Sequence, residues 1–137
     1  MQNVLFYVIL AVLGLVLGSF LNVVICRLPR KESLAFPASH CASCGHKLSP
    51  VDLIPVISWS FLRGKCRYCG EKISLRYPLI ELLTAALFVL TATRAGNRWE
   101  LVISLVTVLF LIPIAAIDFQ HYIIPNKILL TLLPVAV

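Results

Sequence analysis

Four cysteines carry the most specific spacing in this chain: Cys41 and Cys44 in "SHCASCGHKL", then Cys66 and Cys69 in "GKCRYCG", with residues 45–65 between the two Cys-x-x-Cys pairs. Two such pairs closing a loop supply four thiolates to one tetrahedral zinc ion, and a site filled by four sulfurs leaves no position for water, so the expected metal is structural. Gly45 and Gly70 close the two knuckles, where a tight turn lets backbone amides point at the sulfurs. Disulfides and a redox-active Cys-x-x-Cys are the competing chemistries. A reducing compartment argues against the first, and the lack of a thioredoxin-like strand pattern against the second. His40 and His46 flank the first pair and read as solvated loop residues, and Cys26 reads as a small packed residue.

Two carboxylates come next. Asp118 follows the apolar stretch "PIAAI", and Glu81 lies about one turn inside another apolar run. A carboxylate at membrane depth is costly unless paired or functional, so both are candidates; the bland reading of Asp118 is a solvated helix-end cap. Glu81 could bind a cationic group, Arg76 or an amine, or form a structural pair with a neighbouring basic residue. His121 could tune Asp118 if the helix continues, or be a loop residue ahead of Pro125. No glycine-rich loop follows a strand, so a Rossmann-type nucleotide site is not expected.

These groups must be held by membrane helices. Of 137 residues, 60% are hydrophobic and 13% charged, against about a quarter charged in soluble domains. Apolar runs cover Val4 to Cys26, Tyr77 to Thr93 and Leu101 to Ile117. The first would reach about 35 Å as a helix, enough for a hydrocarbon core of about 30 Å. A fourth run starts at Ile128 and stops at Val137, half a span, which leads to the expectation that a C-terminal part is missing. "MQN" has no basic character, so the first run is expected to stay as an anchor and not to be a cleaved signal. In it Gly14 and Gly18 form a small-xxx-small contact, with Ser19 and Asn22 as interior hydrogen-bonding groups.

Nine of the twelve Lys and Arg lie between Arg27 and Arg76. By the positive-inside rule that segment is cytoplasmic, the N-terminus is outside, and Asp118 sits at the cytoplasmic end of the third span. Interspersed acids make a membrane-surface loop the simpler account of the charge, and no nucleic-acid partner is expected. Pro50, Pro55 and Gly64 break any long helix between the knuckles, and about fifty residues build too small a core alone, so a metal staple is physically expected. The expected fold is an α-helical polytopic membrane protein with a small zinc-stapled cytoplasmic loop module: residues 1–26 a first transmembrane helix, 27–76 the zinc-binding module, and 77–137 further transmembrane helices.

Taken in order, "GSFLNVVICRLP" at 18–29, the two knuckles, "LSPVDLIPVISW" at 48–59, "RGKCRYCG" at 63–70, "ISLRYPLIELLTA" at 73–85 and "AAIDFQHYIIPN" at 115–126 resemble the type IV prepilin peptidase family. The resemblance implies a polytopic enzyme of the bacterial inner membrane, an aspartyl endopeptidase that removes the leader from prepilins and pseudopilins of pilus and type II secretion systems. It also implies methylation of the new N-terminus from S-adenosylmethionine. Asp118 matches the first of the family's two catalytic aspartates, residues 77–137 then holding the first part of the peptidase domain. The second, in a Gly-x-Gly-Asp motif, is not in this sequence. Gly64, Lys65 and Glu81 are candidates for substrate or methyl-donor contact. The alternative is a catalytically incomplete zinc-containing membrane protein that binds prepilin leaders or assembly partners, with membrane lipids as its surroundings in either case.

Overall fold

The computed structural model describes residues 4–121; Pro125 and the fourth apolar run from Ile128 lie outside them. In lipid every backbone polar group must find its partner within the segment, so long apolar runs become helices. Here they are α1 (Val4–Arg27), α3 (Arg76–Arg94) and α4 (Arg98–His121), with a 3₁₀ turn at Pro50–Leu53 and a short α2 (Ile57–Phe61) in the connection between α1 and α3. The three long helices are each long and apolar enough to cross a membrane. No strand forms among the described residues; two isolated antiparallel bridges, His40 with Lys47 and Lys65 with Lys72, take that role in the module.

The tightest packing is between α1 and α3, and its cause is local. A Cβ added at Gly14 would lie 2.6 Å from Ala85 Cα, and one at Gly18 would lie 2.8 Å from Glu81 Cα. Only glycine permits that approach, which brings backbones close enough for dispersion and polar contacts to act between helices that have no hydrophobic drive to associate in lipid. The expected contact at Gly14 and Gly18 is thus present. Asn22, 2% exposed, spans the same seam, its Nδ2 donating to Tyr77 O at 3.0 Å and Gly18 O at 3.4 Å. Ser19 is half-buried.

Pro78 falls in the first turn of α3, where an amide hydrogen would be unpaired in any case. α4 begins at a reciprocal cap: Asn97 Oδ1 accepts from the Glu100 amide at 2.8 Å, and the Glu100 carboxylate accepts from the Gly96 amide at 2.8 Å. Leu21, Ile25, Ile80, Ile112 and Ile117 form the core where the three helices meet. The start of α3, the end of α1 and the end of α4 are therefore neighbours, and the loop module joins the bundle at that end.

Candidate metal centre and helix-end aspartate

Each knuckle folds the same way. Gly45 N–H donates to Cys41 O at 2.9 Å and Cys41 N–H to His46 O at 3.0 Å; Gly70 N–H donates to Cys66 O at 3.0 Å and Cys66 N–H to Glu71 O at 2.8 Å. Both closing glycines have positive φ, 68° and 74°, the left-handed region that disfavours other residues. The repeated "Cys-x-x-Cys-Gly-x-Lys" therefore encodes two copies of one turn, and the loop brings the copies face to face.

The four Sγ atoms lie within 4.8 Å of one another, and Cys41 and Cys69 are 3.7 Å apart. Tetrahedral zinc with bonds of about 2.3 Å would place its sulfurs about 3.8 Å apart, so this donor set fits that ion. The amides of Cys44 and Ser43 point at Cys41 and lower its thiol pKa to about 6. The Glu71 amide pulls Cys69 down, but desolvation and the sulfurs of Cys66, Cys41 and Cys44 outweigh it and push that thiol up to about 12. Four cysteine sulfurs drawn this close to one point form a donor set that could hold a metal ion.

A second set of contacts holds the knuckles together independently of metal. Asp52 Oδ2 accepts from the Ser49 amide and hydroxyl at 3.1 and 2.7 Å and from Tyr68 Oη at 3.1 Å, while Oδ1 accepts from Arg67 Nε at 2.7 Å. Arg67 and Tyr68 are the two residues inside the second Cys-x-x-Cys, and the Tyr68 ring stacks on His46 of the first knuckle at 3.7 Å between centroids. His46 stays exposed, as expected of a loop residue, and one face of its ring packs on Tyr68. Asp52 was not singled out in sequence, although Ser49-x-x-Asp52 is a capping pattern that could have found it.

Glu81 is buried, and its Oε2 accepts from the Val56 amide at 2.7 Å. Arg76 turns elsewhere: its guanidinium donates to Gln120 Oε1 at 3.0 Å and to Cys26 Sγ at 2.8 Å, with Tyr77 Oη 3.7 Å from the same sulfur. Cys26 is accordingly a member of a polar cluster joining α1, α3 and α4. Gly64 lies under the Trp59 indole, which an added Cβ would approach to 2.7 Å, and Lys65 is exposed beside it. Asp118 is exposed on the last turn of α4, two residues before Gln120. The structure so gathers the four cysteines at one point and places Asp118 at the same end of the bundle. Glu81 and Gly64 are each already engaged within the protein. A cleft lined by Phe6, Gly96, Arg98 and Leu101 lies at the other end, away from all of these groups.

Residues 12–95 match the Bacterial Peptidase A24 N-terminal domain. The chain belongs to this family. It is 53% identical over 121 residues to the prepilin leader peptidase/N-methyltransferase of Myxococcus xanthus, covering 88% of this chain and 36% of that protein. With the protein of the same name in Bacillus subtilis it shares 43% over 126 residues, 92% of this chain and 51% of the relative. With the type 4 prepilin-like proteins leader peptide-processing enzyme of Escherichia coli the identity is 40% over 132 residues, 82% of this chain and 49% of the relative. The chain therefore spans about half or less of the lengths of these A24 relatives. No solved structure matches it at a significant level.

Proposed function

We propose that this chain is the N-terminal, zinc-stapled part of a membrane aspartyl endopeptidase. The whole protein would remove the leader from type IV prepilins or pseudopilins and N-methylate the exposed amine in the bacterial inner membrane, with the N-terminus outside and the module cytoplasmic. The observation that carries the reading is the Arg76 bridge to Gln120. It brings the Asp118 end of α4 to the start of α3, beside the cysteine module, which is where a leader lying along the membrane surface would be met. The names of the A24 relatives support the substrate class, and nine basic residues between Arg27 and Arg76 support the orientation.

Peptide hydrolysis of this kind takes one carboxylate that accepts a proton from the attacking water and one carboxylic acid that donates to the carbonyl oxygen. In this reading Asp118 supplies one of the pair, and the partner carboxylate comes from elsewhere in the whole protein. Cys41, Cys44, Cys66 and Cys69 would hold zinc, whose contribution is to fix the fold of the module. For methyl transfer from S-adenosylmethionine the residues themselves nominate Gly64 and Lys65, beside the second knuckle, and Glu81. Because the Glu81 carboxylate is bound to the Val56 amide, tethering the loop is the role its contacts support best.

Asp118→Asn in the full-length protein is expected to abolish cleavage of a prepilin substrate while zinc content stays unchanged; retained cleavage overturns the assignment. The alternative is a protein that binds prepilin leaders without cutting them, and the same assay separates the two: binding without cleavage in the unsubstituted full-length protein selects it.

A further inference from the structure

The short segment between the knuckles is joined to the bundle at a definite depth. Val56 has φ 60° and ψ −45°, and the Ile57 amide donates back to Pro55 O, so Val56 is the centre of a γ-turn in the strained positive-φ form. A β-branched residue holds that conformation only where its surroundings over-determine it. Here the determinant is Glu81, whose carboxylate accepts the Val56 amide. Glu81 lies five residues beyond Arg76, the first residue of α3, which is about 7.5 Å along the helix axis. The turn is thereby pinned beside the first turns of a membrane span and not above it.

What the pinned segment presents at that depth is apolar. Ile57 and Phe61 sit one helical turn apart on the same face of α2 and are 56% and 85% exposed; Val51, Leu53 and Ile54 are exposed beside them. The other face is committed to the module, with Trp59 donating its indole N–H to Ile73 O at 3.2 Å and covering Gly64. Exposed Arg63 and Lys65 follow at once. Leu79, Leu82 and Leu83 are exposed on α3 within two residues of Glu81 along the chain.

We propose that Val51–Phe61 is an interfacial anchor: Ile54, Ile57 and Phe61 enter the bilayer surface beside α3, and Arg63 and Lys65 meet the phosphates of anionic phospholipids. Interfacial helices bury their apolar face about 5–10 Å into the boundary between headgroups and acyl chains, and Glu81 holds Val56 against the first turns of α3. Basic residues just outside that boundary add attraction to an anionic leaflet. The metal module would then lie against the membrane at the Asp118 end of the bundle and not stand off it. The inference rests on the membrane-spanning reading of α1, α3 and α4 and is independent of cleavage.

The test uses the full-length protein in nanodiscs of mixed phosphatidylcholine and phosphatidylglycerol. Benzoylphenylalanine is placed singly at positions 57, 61 and 43, the last an exposed site on the first knuckle, and adducts are identified by mass spectrometry after irradiation. Lipid adducts at 57 and 61 and their absence at 43 are expected. Adducts at 57 and 61 to the protein's own chain in place of lipid, no lipid adduct there, or equal lipid labelling at 43 overturns the proposal. Because a substituted chain could misfold, the unsubstituted protein is also irradiated with a diazirine-bearing phospholipid. Labelling is expected in the peptide covering 51–61, and an unlabelled peptide there alongside a labelled α3 overturns the proposal without any substitution.

Discussion

Asp52→Asn isolates the contacts that hold the two knuckles in register. Asp52 has no spare oxygen: Oδ2 serves Ser49 and Tyr68, and Oδ1 serves Arg67. The asparagine amide must replace one of them. Turned toward Arg67 it sets donor against donor; turned toward Ser49 and Tyr68 it leaves three donors without their acceptor. The cheaper choice gives up Arg67. A hydrogen bond to a charged group contributes about 1.5–3 kcal/mol. The Asp52 side chain is 3% exposed but that of Arg67 is 47% exposed, so solvent screening lowers the loss to about 1–2 kcal/mol. That corresponds to about a 5- to 30-fold rise in the open fraction of the module. The assay is the rate of metal release from zinc-loaded full-length protein to excess chelator at pH 7. Release should accelerate by that factor, and Arg67→Gln should give a similar acceleration that does not add to it. The Ser49 hydroxyl foremost, with Arg67 and Tyr68, holds the Asp52 carboxyl well below the ordinary carboxylate range. Its contribution is complete above the unfolded value of about 4 and is lost only as pH falls toward the folded value, so pH 7 reads the full effect. Release rates indistinguishable from the unsubstituted protein would refute the brace.

Gly14→Val places a Cβ 2.6 Å from Ala85 Cα, about 1 Å inside ordinary carbon contact; α1 and α3 must part, at about 1–3 kcal/mol. Thermal unfolding in detergent should show the loss, while Val12→Ala on the exposed face should not. With Cys41 lowered to about 6 and Cys69 raised to about 12, zinc binding to the apo-protein at pH 7.5 should find Cys41 already ionised and must expel the Cys69 proton. Proton release in a weakly buffered titration checks this, and uptake of zinc without it contradicts the site. Glu81→Ala should raise hydrogen exchange at the Val56 amide with little change at the knuckles; equal protection in both proteins would mean that the Val56 turn is held by something else. Cys66→Ser should lower zinc content and loosen the module, as seen in susceptibility to proteolysis, and unchanged metal stoichiometry would remove Cys66 from the site.

The spans were legible because lipid imposes one demand on every residue of a helix, and a run of apolar side chains meets it visibly. The helix bounds fall close to the expected ones, α1 ending at Arg27 and α3 starting at Arg76. The four-cysteine site was legible for a related reason: two residues between ligands is the span of one turn, and each knuckle closes on its own amides. The role of Glu81 was not legible. Its partner is a backbone amide 25 residues away, and an amide has no identity in sequence. Arg76 was open to pairing with Glu81, yet the helix ends place Gln120 and Cys26 within its reach instead.

The sequence by itself determined the elements and the donor set: among the described residues, three apolar helices, two knuckles, and an aspartate near the end of α4. Those follow from local terms, hydropathy, turn geometry and ligand spacing, that act over a few neighbouring residues. Only the tertiary structure decided which groups meet. Glycines in α1 allow α3 close enough to fix the bundle, Asp52 and Tyr68 bring the knuckles together, and Glu81 pins Val56 beside the first turns of α3. Such contacts depend on the path of a loop and on how closely two helices approach, and those distances are set only when the whole chain has packed.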